Sequence, residues 1–269
     1  MTSVAFIGGG NMASALIGGL LRSGRPAASI LVLEPFEGQR AKLLQSHGVQ
    51  AQAAADERLV GAATVVWAVK PQLFAQAAAP CAPHIGHALQ VSVMAGVRSS
   101  AIARASGTQQ VVRTMPNTPA LIGRGIAGLF AREAVTAAQR AEVETLFAPT
   151  GATLWVDRED DLDAVTALSG SGPAYVFYVL EAMMAAATQM GLSAAQGRRL
   201  ALATFDGATA LAAASSETPE ALRAQVTSKG GTTQAAMMSL QGSQVKQAFV
   251  KALLAAQQRA AELGREFGA

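Results

Sequence analysis

The sequence predicts an α/β fold: a doubly wound parallel sheet at residues 1–157, followed by an all-helical dimerisation domain at residues 158–269. Three observations carry this. Short apolar runs bounded by Gly, Pro or polar residues alternate with helix-length segments through the first half, the signature of βαβ units. After Asp157 no convincing strand remains, and long Ala/Leu/Met-rich stretches take over. At 269 residues, 51% hydrophobic and 14% charged, the chain can bury a core without covalent staples.

In order, residues 3–8 form a buried strand, and a helix runs from Asn11 to Arg22, ending near Gly24 and Pro26. Ser29 to Leu33 is a strand and Glu37 to His47 a helix. Thr64 to Val69 is a strand stopped by Pro71. Val91–Met94 and Val111–Thr114 follow, and Ile126–Phe130 and Thr153–Val156 complete the sheet. Helical stretches then span Pro173–Met190, Ser193–Ala214, Pro219–Val226, Thr232–Leu240 and Ser243–Phe267. Several are apolar on more than one face and would expose too much surface alone, so dimerisation through them is expected.

Composition excludes several classes. The net charge of +3 is scattered, without a basic run or basic–aromatic strip, which argues against a nucleic-acid partner. The single cysteine, Cys81, allows no internal disulfide and suits a reducing compartment; its neighbours Pro80, Ala82 and Pro83 supply no activating base. No apolar segment approaches the roughly 20 residues of a membrane span, and Gly8 interrupts the first apolar run, so a soluble, cytoplasmic protein is expected. His84 and His87 fall in a Pro/Gly-rich stretch read as a loop, without acidic ligands, and surface positions rather than metal ligation are expected.

The chemistry begins at Gly8-Gly9-Gly10-Asn11-Met12-Ala13, between the first strand and its helix. Gly8 permits the tight turn, Gly10 lets the backbone approach a pyrophosphate, and small Ala13 lets the helix pack on the sheet. The helix N-terminus then offers unpaired amides to the phosphates. With an acid, Glu34, at the end of the second strand, this reads as a Rossmann-type dinucleotide site including Gly8, Gly10, Asn11 and Met12. Glu34 would accept from a ribose 2′-OH and repel a 2′-phosphate, favouring NADH, although a plain surface glutamate also suits that position. Arg40 on the next helix keeps NADPH open. Val69-Lys70 and Ala95 lie at strand ends on the carboxyl edge, where ligands of open α/β sheets bind; Lys70, read as enclosed between Val69 and Pro71, is expected to contact the cofactor, with a solvated strand-end charge as the other reading.

Three further segments are too polar and too rich in Gly and Pro for their surroundings: Met115-Pro116-Asn117-Thr118-Pro119, Leu168-Ser169-Gly170-Ser171-Gly172-Pro173-Ala174-Tyr175, and Val226-Thr227-Ser228-Lys229-Gly230-Gly231-Thr232-Thr233. Together with Gly8–Ala13 and Val69-Lys70-Pro71-Gln72, they closely resemble the Δ1-pyrroline-5-carboxylate reductase family along essentially the whole chain. The resemblance implies reduction of a cyclic imine carboxylate to L-proline, with hydride from NADPH or NADH. It also implies intertwined homodimers, sometimes assembled into a ring, with the active site between the cofactor domain of one subunit and the helical domain of its partner. By the same resemblance Glu159 is expected near the substrate's ring nitrogen; a first-turn acid complementing a helix dipole is the other reading. Lys229 stands where many relatives carry Pro. Glu34 stands where relatives often carry a small hydroxyl residue, which puts the family's usual NADPH preference in question here.

The residues support the substrate reading on their own. A Gly/Thr loop opening a helix offers backbone amides and a positive dipole end to a carboxylate, and Gly231, Thr232 and Thr233 occupy that place. The Thr233 hydroxyl can reach a ring nitrogen, although Thr beside Gly also serves as a helix N-cap. Asn117 either hydrogen-bonds the nicotinamide carboxamide or orders the cleft, with Pro116 and Pro119 stiffening its loop, and Tyr175 is read as packing. Two rivals remain. A β-hydroxyacid-type dehydrogenase needs an acid/base lysine on a second-domain helix, and Lys229, Lys246 and Lys251 do not sit in that arrangement. A non-catalytic dinucleotide-binding protein would have no need of Gly230–Thr233.

Overall fold

The computed structural model describes residues 3–267. It contains β1 (Ser3–Ile7), α1 (Asn11–Arg22), β2 (Ile30–Leu33), α2 (Glu37–His47), β3 (Ala51–Gln52), β4 (Ala62–Trp67), α3 (Phe74–Ile85), β5 (Leu89–Ser92), α4 (Ser99–Ser106), β6 (Val111–Met115), β7 (Gly125–Ala131), α5 (Ala137–Phe147), β8 (Gly151–Trp155) and α6 (Asp161–Val165), the last running into a π-helical turn at Thr166–Gly170. Then come α7 (Gly172–Gln189), α8 (Ala194–Ala214), α9 (Pro219–Gln225), α10 (Thr232–Gly242) and α11 (Val245–Phe267).

The eight strands form one sheet in the order β3-β2-β1-β4-β5-β6-β7-β8. Alternate residues of β1 serve opposite faces, and both faces are dry. Val4 and Phe6 join a core with Leu16, Ile17 and Phe147, while Ala5 and Ile7 join another with Trp67, Phe74 and Ile102. This two-sided burial explains why the strands read as continuous apolar runs. Side chains of this size contribute about 1.5–3 kcal/mol each when fully buried. The one polar atom of Trp67 is satisfied, its Nε1–H donating to Gln90 Oε1 at 2.9 Å.

Three features depart from the sequence expectation. β7 runs antiparallel to β6, because the connection from Pro116 to Arg124 is too short for a crossover helix. A short strand, β3, adds to the edge beside β2. And α3 continues through Pro80 and Pro83, placing His84 on a helix rather than in a loop. Phe74, Ala78, Cys81 and Ile85 recur at helical spacing and are buried, so the packing of one face outweighs two interior prolines whose rings lie on the exposed side.

The chain divides into two compact units, one running to Gly172 and resuming from Ala255, the other spanning Pro173–Leu254. Strands stop at Trp155, near the expected boundary at 157. The first unit nevertheless extends past it, because Leu162 and Ala167 are buried and Val165 packs over Gly128 of β7. The last turns of α11 return to the same unit, with Ala260 and Gly264 buried. Within the second unit, Tyr175 meets Phe249 edge to face at 5.8 Å, as packing requires, and α7 and α8 approach closely at Ala187 and Gly197. Few other side chains there are buried; Phe177, Tyr178, Leu200, Leu211 and Met238 are all exposed.

Candidate active site

Parallel pairing of β2, β1, β4, β5 and β6 brings their carboxyl ends to one edge, and the strand order reverses direction at β1, between β2 and β4. Gly8 leaves β1 there at φ +97°, with its N–H donating to Leu33 O at 2.8 Å. A Cβ on Gly8 would stand 2.7 Å from the Ala68 carbonyl oxygen, so the turn demands glycine. Gly10 is the N-cap of α1 and makes no side-chain cap, and nothing lies within 4 Å of where its Cβ would be. Asn11 is exposed, Met12 half-buried and Ala13 fully buried against the sheet. An open, uncapped helix start above a bare glycine fits a dinucleotide pyrophosphate.

Glu34 is held more tightly than its sequence position suggests. It is only 6% exposed; one oxygen accepts from Gly9 N–H at 2.8 Å and the other from Phe36 N–H at 2.9 Å. Gln39 Nε2 donates to the Gly9 carbonyl, so two side chains grip the peptide groups of Gly9 from both ends. Each Glu34 oxygen keeps a second lone pair for a ribose hydroxyl, and a 2′-phosphate here would meet like charge. Arg40 is fastened at the rim, donating to the Glu34 and Pro35 carbonyls at 3.0 and 2.7 Å.

Val69 borders the Gly8 turn, with Cγ1 3.0 Å from the would-be Cβ. Lys70, expected to be enclosed, is exposed instead, because Pro71 starts a 3₁₀ turn whose first hydrogen bond is Leu73 N–H to Lys70 O. Ala95 is half-buried just before Gly96, at the carboxyl end of β5. Asn117 is buried and committed at both ends of its amide, Nδ2 donating to Ser169 O at 3.2 Å and Oδ1 accepting from Ile126 N–H at 3.0 Å.

Glu159 is likewise occupied. Its Oε1 accepts from Ser99 N–H at 2.7 Å and from Arg113 Nη1 at 2.8 Å, and its Oε2 accepts from Ser99 Oγ at 2.7 Å. Burial pushes this carboxyl up, but the Ser99 donors and the Arg113 guanidinium outweigh it and hold the pKa below the ordinary value. It therefore serves as an anionic cap on α4 and as the counter-ion of buried Arg113. Sequence reasoning passed over Ser99 and Arg113, although an arginine inside the apolar strand Val111–Met115 was a visible signal. Arg98 adds ion pairs to Asp160 and Asp163, and burial raises the Asp163 carboxyl against the pull of Arg98 and Arg113.

In the other compact unit, Gly231 is the N-cap of α10 and makes no side-chain cap. The first intrahelical bond is Ala235 N–H to Gly231 O, so the amides of Thr232, Thr233 and Gln234 have no intrahelical acceptor. The two threonines are thus the first helical residues and not caps; Thr232 is exposed and Thr233 half-buried. Elsewhere, Cys81 is buried and its thiol is pushed up to about 11 by desolvation, which leaves it unreactive. Among the described residues no group of three or more His, Cys, Asp or Glu could hold a metal, and no helix is long and apolar enough to cross a membrane.

Comparison with known proteins adds the family context. Residues 159–263 match a family model described as pyrroline-5-carboxylate reductase dimerisation, and residues 3–96 match one described as NADP oxidoreductase, coenzyme F420-dependent. A pyrroline-5-carboxylate reductase of Pseudomonas aeruginosa is 42% identical over 98% of each chain, and one of Haemophilus influenzae is 39% identical over 97% of each. A solved pyrroline-5-carboxylate reductase from Coxiella burnetii superposes with a TM-score of 0.89 at 35% identity, covering 97% of this chain and 98% of that one. A Plasmodium falciparum pyrroline carboxylate reductase crystallised with NADP bound gives 0.88 at 25% identity over 98% of each chain.

Proposed function

Starting from the fact that the chain belongs to the pyrroline-5-carboxylate reductase family, we propose that it reduces 1-pyrroline-5-carboxylate to L-proline with NADPH or NADH. The observation that carries this reading is a pair of uncapped helix starts, one behind Gly8–Gly10 and one behind Gly230–Gly231, each suited to an anion. One would take the dinucleotide pyrophosphate, with Asn11, Met12, Val69, Lys70 and Ala95 around it and Asn117 ordering the wall. The other would take the substrate carboxylate on the amides of Thr232 and Thr233.

When bound, the dinucleotide would supply a hydride to the carbon of the N-protonated C=N bond; the ring nitrogen, left as a neutral amine, would then take up one proton from solvent. The protein's share is orientation, since an imine protonated at nitrogen is already electrophilic. Thr233 supplies a hydroxyl to hydrogen-bond the ring nitrogen. Glu159, tied to Ser99 and Arg113, is assigned the task of fixing α4 and the Ala95–Gly96 segment before it, alongside the expected place near the substrate's ring nitrogen. The exposed apolar side chains of α7, α8 and α10 are assigned to a homodimer interface, and a ring of dimers is a further step that light scattering would distinguish.

The test is absorbance at 340 nm when pyrroline-5-carboxylate is added with NADH or NADPH. Oxidation of at least one cofactor, with proline formed in equal amount, is the expected result. Saturable nucleotide binding without turnover by either would reduce the chain to a dinucleotide-binding protein.

A further inference from the structure

We propose that Gln234 is a positioning residue that presets the substrate turn, an inference that rests on reading Gly231–Thr233 as the carboxylate site. Gly230 adopts the left-handed conformation at φ +75°, and the next residue closes a turn, Gly231 N–H donating to Ser228 O at 3.1 Å. The N–H of Gly230 is thereby directed back toward α10, where the side-chain oxygen of Gln234 accepts it. Gln234 is the third residue of α10, the place from which Glu or Gln reaches back in a capping box. Here it reaches past the N-cap to the residue before it. Among the described residues this is the only side-chain hydrogen bond from α10 to the 228–231 turn. Without it, the left-handed glycine is free to rotate, and the outward-facing amides lose their fixed direction.

The neutrality of Gln234 follows from the same geometry. Glutamate would accept the Gly230 N–H equally well and complement the helix dipole better, so stability alone favours an acid. A negative charge at the mouth of an anion site would repel the substrate carboxylate. Glutamine keeps the acceptor and omits the charge.

The experiment compares wild type, Gln234→Leu and Gln234→Glu by steady-state kinetics with pyrroline-5-carboxylate at low and high salt, together with dinucleotide KM and Tm. Gln234→Leu is expected to raise substrate KM about 5- to 10-fold at either salt concentration, with kcat and dinucleotide KM within about twofold. Gln234→Glu is expected to keep or raise Tm, and to raise substrate KM at low salt with relief at high salt. Two results overturn the proposal: unchanged substrate KM in both variants, or a fall in kcat and Tm together with a rise in dinucleotide KM in Gln234→Leu. A wild-type chain that does not turn over this substrate sinks the functional reading itself, whereas an active wild type with indifferent variants sinks only the role of Gln234.

Discussion

The starts of α1 and α10 are chemically alike and structurally unlike. Both follow glycines, both lack a side-chain cap, and both leave their first amides without intrahelical partners. The first is embedded: Gly8 is wedged against the Ala68 carbonyl, Gly9 is gripped by Glu34 and Gln39, and Ala13 is buried on the sheet. The second projects from helices that bury few side chains, and one glutamine ties its turn to the helix. A cofactor cradle can thus be completed by the packing of a single unit. The proposed substrate cradle, built on sparsely buried helices, depends more on local bonds and on whatever covers those helices.

The most disruptive change to the first start is Gly8→Ala, which sets a methyl group against the Ala68 carbonyl at a positive φ. It is expected to weaken NAD(P)H binding about 100-fold, read from quenching or enhancement of nicotinamide fluorescence. Near-native affinity would mean that the embedded cradle does not hold the pyrophosphate.

Glu34→Ser tests a smaller difference. Loss of the carboxylate is expected to raise the ratio of NADPH to NADH efficiency (kcat/KM) about 10-fold, with some loss of loop order because Gly9 N–H loses its acceptor. An unchanged ratio would mean that Arg40 at the rim, rather than Glu34, governs recognition of the 2′ position.

The smallest expected effect concerns stability. The folded-state pKa of Glu159 is depressed, so its contribution is present above the ordinary carboxylate value and is lost as pH falls through the lowered one. Asp163 has the opposite sign: its folded pKa is raised, and the fold loses stability as pH rises through that value. Glu159→Gln should lower stability by about 2 kcal/mol at neutral pH, leave Arg113 without its counter-ion, and flatten the acid limb of a Tm–pH profile. A profile parallel to wild type would show that the Ser99–Glu159–Arg113 cluster is inert.

The embedded cradle was also the more legible one. Gly8, Gly10, Ala13 and Glu34 lie close in sequence and obey a local rule, so the β1–α1–β2 unit could be written down from residue types. What Glu34 touches could not, since a carboxylate in that position reads the same whether it faces solvent or a peptide N–H. The direction of β7 was illegible because apolar alternation does not distinguish parallel from antiparallel, and only the short Pro116–Arg124 connection does. α3 was obscured by Pro80 and Pro83, which break the local rule that its buried face overrides. The partners of Glu159 lie 60 and 46 residues away, on a helix start and a strand brought together only by the sheet. At the second cradle, the pattern Gly-Gly-Thr-Thr pointed to a helix start, but capping and anion binding use the same amides, and only the observed N-cap at Gly231 frees the threonines from capping.

The central claim is that the two helix starts divide the work, α1 for dinucleotide and α10 for substrate. Thr233→Ala tests it most directly, with NAD(P)H affinity and turnover of pyrroline-5-carboxylate measured on the same preparation. Turnover at saturating substrate should fall at least about 10-fold while dinucleotide affinity stays within about twofold of wild type. Wild-type turnover, or an equal loss in dinucleotide binding, would contradict the division.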